Sequence, residues 1–333
     1  MEERRLRRAA LYAALRKKPW LPPLRLGDTR YNAGRTIDSL HRAAELAVDV
    51  VVFPELGLTG YTCHDLFHNH TLQLGALDAL QSVAVATLRL FNGLAVVGLP
   101  LLVDDQIFNC AAVVQRGEIL GVVPKTYLPT YKEFYDARFF APASTAYSKT
   151  VKLFGKQIPF GTDLLFRASN FDSLTVGIEI CEDLWGPIPP SSLQAVHGAT
   201  VLLNLSASNE TIAKAAYRRT LVAQQSARCL AAYAYAAAGP GESTSDLVFG
   251  GHSLIAENGA ILAESPRFRR EEQFTVADVD LERMQFNRTQ TTSFNDTVVV
   301  PGLRQPFRQL DFTVQDWPDN LKLLREIDAH PFV

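Results

Sequence analysis

Three apolar stretches of this chain each end at one side chain that can do chemistry. They are Val51-Val-Phe-Pro-Glu55, Gly121-Val-Val-Pro-Lys125 and Gly177-Ile-Glu-Ile-Cys181. Short apolar runs are typical of buried strands, and a packed core gives no reason to end three of them on a carboxylate, an ammonium and a thiol. A thiol nucleophile with a carboxylate base and a fixed cation can attack the carbon of an amide or a nitrile. Glu55, Lys125 and Cys181 are therefore our candidate catalytic residues.

The setting of Cys181 distinguishes it from the other cysteines. A buried cysteine usually behaves as a small hydrophobic residue, and that interpretation suits Cys110 and Cys229. Cys181 instead ends a predicted strand and is followed directly by two carboxylates. At a strand-to-helix elbow its thiol would face a cleft in which backbone N–H groups can hold an oxyanion.

A cysteine nucleophile needs a group that removes its proton, most often a histidine. None of the seven histidines ends a strand as Glu55 does, although His252, at the start of a hairpin arm, is an alternative. An apolar pocket would raise the pKa of Glu55 toward the range of a general base; otherwise Glu55 is a turn carboxylate near the surface. Lys125 would stabilise the thiolate and the tetrahedral intermediate, unless its side chain reaches solvent.

The histidine-rich segment His64-Asp-Leu-Phe-His68-Asn-His70 has two histidines at a spacing that can hold a metal ion. No third-ligand pattern stands elsewhere in the sequence, so we predict a polar loop and no metal site. The loop glycines at 239–241 and 250–251 match neither common phosphate-binding motif. We therefore predict no phosphate-binding loop for a nucleotide.

Composition excludes several classes of protein. The 333 residues are 47% apolar and 20% charged with a formal charge of −2, which is typical of a globular enzyme and gives no attraction to nucleic acid. No apolar run reaches the roughly 20 residues that span a bilayer, so no membrane segment is predicted. Four irregularly spaced cysteines favour a reducing, cytoplasmic location.

Periodicity predicts the elements that position these residues. Helical spacing indicates helices over 32–47, 72–90 and 212–229, the last with Arg218 and Arg219 on its solvated side. Two hairpins are predicted, one over 108–123 and one over 252–264 with Asn258-Gly259 as its turn. The predicted buried strands lie at 50–53, 94–100, 174–180, 200–205 and 230–238. Alternating strands and helices with hairpins among them predict an α/β protein with mixed sheets.

No linker or internal repeat divides the chain, so we predict a single main domain over 31–295. Residues 1–30 are interpreted as a solvated basic arm with an uncertain first strand. Residues 296–333 are interpreted as a tail, helical at 319–327, that packs on the outside of the domain or on a partner subunit.

Five motifs between about residue 32 and residue 280 make the chain resemble the nitrilase (carbon–nitrogen hydrolase) superfamily. Within it, they are most similar to the glutamine amidotransferase domain of glutamine-dependent NAD+ synthetases. The motifs are Phe53-Pro-Glu-Leu-Gly-Leu-Thr-Gly-Tyr61, Pro124-Lys-Thr-Tyr-Leu-Pro-Thr-Tyr-Lys-Glu-Phe-Tyr135, Ile180-Cys-Glu-Asp-Leu-Trp185, Asn204-Leu-Ser-Ala-Ser-Asn209 and Gly239-Pro-Gly-Glu-Ser-Thr-Ser-Asp-Leu-Val-Phe-Gly-Gly-His-Ser253.

The resemblance implies a four-layer αββα sandwich with Cys181 as nucleophile, Glu55 as general base and Lys125 as stabiliser of the intermediate. It also implies that Glu133 occupies the place of the superfamily's second glutamate, which steers the water or the lysine. The residues implied to hold the amino-acid end of the substrate are Tyr61, Tyr131, Glu182, Ser208 and Lys214.

The implied reaction is hydrolysis of the glutamine side-chain amide to glutamate and ammonia through a thioester, without metal or cofactor. The family normally continues into an ATP-dependent synthetase domain, and this chain lacks the phosphate loop of that domain. We therefore expect either a separated amidase domain with a synthetase partner that accepts the ammonia, or a stand-alone enzyme. A homo-oligomer, at least a dimer, is also expected.

Two other functions stay open. The chain could be an amidase or nitrilase for another small amide or nitrile, or a catalytically idle subunit used for assembly. Intact Glu55, Lys125 and Cys181 count against the idle subunit. Glu182, Ser208 and Lys214 favour glutamine over an uncharged nitrile.

Overall fold

The computed structural model describes residues 6–11, 24–298, 306–316 and 323–325, and within them it contains strands β1–β15 and helices α1–α6. The strands are β1 (Leu6–Leu11), β2 (Val50–Val52), β3 (Leu94–Val103), β4 (Gln106–Gln115), β5 (Glu118–Pro124), β6 (Thr150–Leu153), β7 (Lys156–Pro159), β8 (Leu164–Ala168), β9 (Thr175–Ile180), β10 (Val201–Ser206), β11 (Ala232–Ala237), β12 (Leu254–Glu257), β13 (Ala260–Glu264), β14 (Thr275–Asp280) and β15 (Arg308–Phe312). The helices are α1 (Thr29–Glu45), α2 (His70–Leu90), α3 (Pro190–Val196), α4 (Lys214–Cys229), α5 (Leu281–Gln290) and α6 (Thr292–Val298).

Two large mixed sheets form the centre of the molecule. The first has the strand order β14-β1-β2-β3-β4-β5, and the second has the order β13-β12-β11-β10-β9-β8-β15. Strands β1, β2 and β3 run parallel, as do β9, β10 and β11, and hairpins extend both groups. The mixed α/β character that the sequence predicts is confirmed.

Three hydrophobic cores separate four layers. Between the sheets, Val52 and Val96 of the first belong to one core with Ile178 and Leu203 of the second. Because successive strand residues face opposite ways, Val51 points away from the second sheet. The predicted αββα sandwich is therefore present.

The two outer cores pack helices against the sheets. Helices α1 and α2 cover the first sheet through Leu40 and Val83. Helices α3 and α4 cover the second sheet through Ala195 and Val222. Each sheet is thus buried on both faces, which explains why its central strands read as continuous apolar runs.

Both predicted hairpins are confirmed. Arg116 and Gly117 have positive φ angles of 47° and 82° between β4 and β5, and Asn258 and Gly259 have 47° and 90° between β12 and β13. Two consecutive residues with positive φ are what a two-residue type I′ turn requires.

The predicted helices are confirmed as α1, α2 and α4, but the prediction that Arg218 faces solvent is wrong. Arg218 is fully buried and its Nη1 donates to Glu210 Oε1 at 2.7 Å. The neighbouring Arg219 is half-exposed. Helical spacing alone does not reveal an ion pair that lets an arginine face the core.

Both ends of the chain add strands to the sheets. Leu6–Leu11 pairs with β2 and β14, so this segment is a strand in the first sheet and not part of a solvated arm. Two arginines interrupt its apolar pattern, which is why periodicity does not identify it. Arg308–Phe312 pairs in parallel with β8 at the edge of the second sheet. Most of the helix predicted at 319–327 lies outside the described residues.

Within the described part of the chain, none of the helices combines the length and the apolar character that crossing a bilayer demands.

Candidate active site

Glu55 lies in a tight turn that follows β2. The turn packs so closely on Gly98 of β3 that a Cβ atom there would lie 2.4 Å from the backbone nitrogen of Leu56. Leu58 N–H also donates to the Gly98 carbonyl at 3.1 Å. The turn thereby places the Glu55 carboxylate inside the molecule, where the residue is only 1% exposed.

Lys125 follows β5 and forms a buried ion cluster. Its Nζ donates to Glu55 Oε1 at 2.6 Å and to Asp136 Oδ2 at 2.8 Å, and the lysine is 1% exposed. Tyr61 Oη donates to the other oxygen of Asp136 at 2.6 Å. The lysine does not reach solvent, because two carboxylates stabilise its charge inside the protein.

Cys181 follows β9 and begins a short 3₁₀ turn, Cys181–Leu184. Its φ is +46°, a conformation that non-glycine residues adopt rarely and that is frequent at functional sites. Its backbone N–H donates to Asn204 Oδ1 at 3.1 Å, and Ser206 Oγ lies 3.3 Å from the sulfur. The buried side chain is thus held at the expected strand-to-helix elbow.

The three candidate catalytic residues belong to one polar cluster. Ala207 N–H, one residue after Ser206, donates to Glu55 Oε2 at 2.8 Å. The charges of Glu55 and Lys125 both act on the Cys181 thiol. The structure therefore brings the carboxylate and the ammonium, which come from the first sheet, to the thiol, which comes from the second.

Burial controls the protonation of this cluster. It raises the pKa of the Cys181 thiol, as does the nearby Glu55 carboxylate, whereas Lys125 opposes the rise. Burial also raises the pKa of Glu55, which hydrogen bonds from Lys125 and Asn109 partly offset. Although burial disfavours the ammonium, Asp136 and Glu55 raise the pKa of Lys125. The stable arrangement is a neutral thiol beside a charged lysine.

Three of the residues implied to bind substrate, Tyr131, Glu182 and Lys214, lie near the Cys181 thiol. Tyr131 Oη donates to Glu182 Oε1 at 2.8 Å, and Tyr131 is half-exposed. The Lys214 ammonium lies 5.1 Å from the ring centre of Trp185. Burial lowers the pKa of Lys214, whereas the Glu182 carboxylate and a thiolate at Cys181 favour its charged form. An acid and a base thus lie close to each other and to the thiol.

Two further implied residues, Ser208 and Glu133, lie near Lys214 and the start of α4. Ser208 is buried, and Arg218 Nη2 donates to its hydroxyl at 3.4 Å. Glu133 accepts a hydrogen bond from Asn209, which in turn accepts one from Lys214. The Glu133 carboxylate therefore contacts the amide of Asn209. The second carboxylate that contacts Lys125, beside Glu55, is that of Asp136.

Sequence reasoning missed four residues that contact the catalytic cluster. Asp136 pairs with Lys125, and Asn109 Nδ2 donates to Glu55 Oε1 at 2.7 Å. Asn204 and Ser206 contact Cys181 from β10. The last two are polar residues two positions apart in an otherwise apolar strand, and this alternation is a signal that the sequence does contain.

The described residues hold no group of three histidine, cysteine or acidic side chains arranged to bind a metal ion. In the histidine-rich segment, His68 Nε2 lies 3.3 Å from the Arg138 carbonyl oxygen. The segment forms a 3₁₀ helix, His64–His68, that leads into α2.

Comparison with known proteins identifies the family. A family model described as carbon–nitrogen hydrolase matches residues 12–289. The chain belongs to the carbon–nitrogen hydrolase family. Its membership of a family of enzymes agrees with the resemblance found in the sequence motifs.

Among curated proteins, this carbon–nitrogen hydrolase is 43% identical over 309 residues to the glutamine-dependent NAD(+) synthetase of Mycobacterium leprae. It is 32% identical over 259 residues to the enzyme of that name from Thermotoga maritima. The matches cover 92% and 77% of this chain but only 45% and 40% of those relatives. The resemblance to one domain of these synthetases is confirmed, and the chain spans less than half of their length.

Solved structures agree in fold. The glutamine-dependent NAD(+) synthetase of Cytophaga hutchinsonii superposes with a TM-score of 0.71 at 26% identity, over 82% of this chain and 43% of that one. Nit3 of Saccharomyces cerevisiae, a nitrilase-superfamily member, superposes with a TM-score of 0.63 at 19% identity, over 90% and 97% of the two chains. The hydrolase sandwich thus occurs both within a longer synthetase chain and nearly alone.

Proposed function

We propose that this carbon–nitrogen hydrolase cleaves the side-chain amide of glutamine, with Cys181 as nucleophile. The observation that carries the proposal is the buried Lys125 ammonium, held between Glu55 and Asp136 beside the Cys181 thiol. Such a cluster supplies a base and a fixed cation next to a nucleophile, which is what acyl transfer from an amide needs.

In the first half-reaction, Glu55 takes the thiol proton while the sulfur attacks the amide carbon. Burial raises the pKa of Glu55, which makes its carboxylate a stronger base, and it raises the pKa of Cys181, which disfavours a free thiolate. Proton transfer therefore accompanies the attack of the sulfur. Glu55 then gives the proton to the departing nitrogen, so that ammonia leaves and a γ-glutamyl thioester remains. Water, deprotonated by Glu55, attacks the thioester and releases glutamate.

Lys125 is proposed to stabilise the oxyanion of both tetrahedral intermediates. Two of its N–H bonds donate to Glu55 and Asp136, which leaves the third for the substrate oxygen. The Cys181 backbone N–H donates to Asn204, so it is already occupied in this structure. A preorganised ammonium in a buried site stabilises the oxyanion far more than an ammonium in water does, since no solvent has to reorient.

The acid and base pair near the thiol, Glu182 and Lys214, supports an amino acid as substrate. Glu182 can pair with the α-ammonium group of an amino acid, and Lys214 can pair with its α-carboxylate. The Tyr131 hydroxyl donates a hydrogen bond to Glu182. Tyr61 and Ser208 are proposed to complete this binding site, and Glu133 is proposed to steer the water or the lysine. The relatives named glutamine-dependent NAD(+) synthetase favour glutamine, and their greater length supports a synthetase that consumes the ammonia.

Ammonia release from a panel of glutamine, asparagine, propionamide and propionitrile tests the proposal. We expect turnover of glutamine that Cys181→Ala abolishes, together with a covalent adduct of a glutamine-mimicking electrophile at Cys181. Turnover of another compound alone would assign the chain to the amidase or nitrilase alternative. No release at all, or release unchanged by Cys181→Ala, would leave an idle assembly subunit.

A further inference from the structure

The carboxylate of Asp183 joins the two backbone segments that carry the lysine and the cysteine. Its Oδ1 accepts from Tyr127 N–H at 2.7 Å and from Thr126 N–H at 3.1 Å. Its Oδ2 accepts from Ile180 N–H at 2.9 Å and is the second acceptor of Thr126 at 3.3 Å. Thr126 follows Lys125 directly and Ile180 precedes Cys181 directly, so one side chain holds both neighbours of the catalytic pair.

This connection crosses between the two sheets. Lys125 follows a strand of the first sheet and Cys181 follows a strand of the second, and the burial of apolar side chains between the sheets is not directional. Asp183 is 1% exposed, so water does not compete for its hydrogen bonds. A buried carboxylate with several N–H donors is a rigid and directional connection.

We propose that Asp183 is a positioning residue that sets the spacing between the Lys125 ammonium and the Cys181 thiol. This inference rests on the proposed function, since it concerns the same reacting groups. The hydrogen bonds of Asp183 go to backbone N–H groups beside these residues, so it acts through the backbone on either side. It is also the third residue of the motif Cys-Glu-Asp-Leu-Trp, in which only the first two residues have a proposed chemical role.

The geometry requires a carboxylate at this place. Three N–H groups point at two oxygens, and an asparagine would present one oxygen and an NH2 group that opposes a donor. Burial and the charge of Glu179 raise the pKa of Asp183 to about 7, while the N–H groups of Ile180 and Tyr127 and the Lys125 charge favour the ionised form. The carboxylate is therefore the form that fits its donors.

Asp183→Asn tests the proposal because it changes the acceptor pattern at constant size. We expect kcat for glutamine to fall by about 10²-fold with KM unchanged, since a misplacement of about 1 Å at the reacting groups costs that much. Alkylation of Cys181 by chloroacetamide, followed by mass spectrometry, should slow by a similar factor. Asp278→Asn is the matched control: Asp278 is also buried and accepts a backbone N–H, but it lies on β14. Its alkylation rate should match that of the wild type.

Hydrogen–deuterium exchange of the wild-type protein keeps the inference testable if Asp183→Asn does not fold. The Thr126 and Tyr127 amides should be as protected as the Ile180 amide, although they lie in a loop. Exchange of these two amides at the rate of a free loop would overturn the proposal, as would a folded Asp183→Asn variant with wild-type kcat and alkylation rate. If the wild type releases no ammonia, the proposed function fails while the alkylation and exchange results still decide the role of Asp183.

Discussion

At the scale of single residues, the ionisation of Glu55 is set by opposing effects. Burial raises its pKa, and the hydrogen bond from Asn109 Nδ2 lowers it because that bond favours the ionised form. Asn109→Leu removes the donor at similar size. We expect the acidic limb of the pH profile of kcat/KM to move upward by about one pH unit, since a hydrogen bond to a charged group contributes roughly 1.5 kcal/mol.

The same pH profile contains its own control. The alkaline limb reports other groups and should stay in place when Asn109 is replaced. An acidic limb that does not move, or that moves to lower pH, would show that Glu55 is not the base whose ionisation limits the reaction.

Asp136 is expected to matter for stability as well as for catalysis. It accepts from both Lys125 and Tyr61, so Asp136→Asn leaves a buried ammonium with one carboxylate in place of two. Removing one partner of a buried ion pair costs about 3 kcal/mol or more. We expect urea denaturation to show a loss of that size, with ammonia release lost as well. Asp172→Asn, at an exposed carboxylate that pairs with Arg167, should change neither quantity.

The contrast between Lys125 and Asp136 shows what sequence reasoning can find at this scale. Lys125 interrupts an apolar pattern, so its chemistry is visible in the sequence. Asp136 lies in a polar loop with several other charged residues, and only its contacts distinguish it. A residue that stabilises a buried charge from a loop leaves no periodic signal.

At the scale of elements, the turn after β2 depends on one glycine in the neighbouring strand. A Cβ atom at Gly98 would lie 2.4 Å from Leu56 N and 2.9 Å from Pro54 O, both of which are backbone atoms that cannot rotate away. Gly98→Ala should therefore displace the turn that carries Glu55. We expect a stability loss of about 1–3 kcal/mol from overpacking and a fall in kcat of about tenfold or more, measured by denaturation and by ammonia release.

Gly34→Ala is the matched control for this prediction. Gly34 lies inside α1 with no atom within 4 Å of the added Cβ, so alanine should stabilise the helix by about 0.5–1 kcal/mol and leave kcat unchanged. Wild-type kcat in Gly98→Ala would mean that the turn adapts without moving its carboxylate.

Two elements mark the limit of periodicity as a guide to structure. The start of helix α4 is predicted to within two residues, yet Arg218 is predicted on the solvated side of the helix. Arg218 is buried because Glu210 compensates its charge, which periodicity does not reveal. Strand β1 carries arginines that hide its pattern, and backbone pairing with β2 and β14 defines it instead. Hydrophobic spacing thus identifies elements whose burial is apolar, but not those held by ion pairs or by backbone hydrogen bonds.

At the scale of the whole molecule, local patterns do not determine the order of strands within a sheet. The α/β class and both hairpins are predictable because neighbouring residues form them. The pairing of β1 with β14, and of β8 with β15, joins segments far apart in sequence. The family resemblance gives the sandwich, and the structure adds that both ends of the chain complete its sheets.

The tail is accordingly expected to be part of the cooperative unit. Arg308 donates through Nε and Nη2 to the two oxygens of Asp163, and strand β15 covers the edge of β8. Phe312 and Val314 are each 3% exposed and pack in the core between the sheets. An unpaired edge strand also invites association with another chain.

A chain that ends at residue 305 should therefore unfold more easily. Losing the burial of two apolar side chains alone costs at least about 3 kcal/mol, and we expect urea denaturation to show this loss together with aggregation at high concentration. Leu324→Ala in the full chain, at a half-exposed side chain, serves as the control and should change neither. If the shortened protein kept the full free energy of unfolding, β15 would be an accessory strand, and the domain would end before it, as the sequence alone suggests. Since β8 separates β15 from β9, the folded fraction of the shortened protein should still react with chloroacetamide at Cys181 at the wild-type rate.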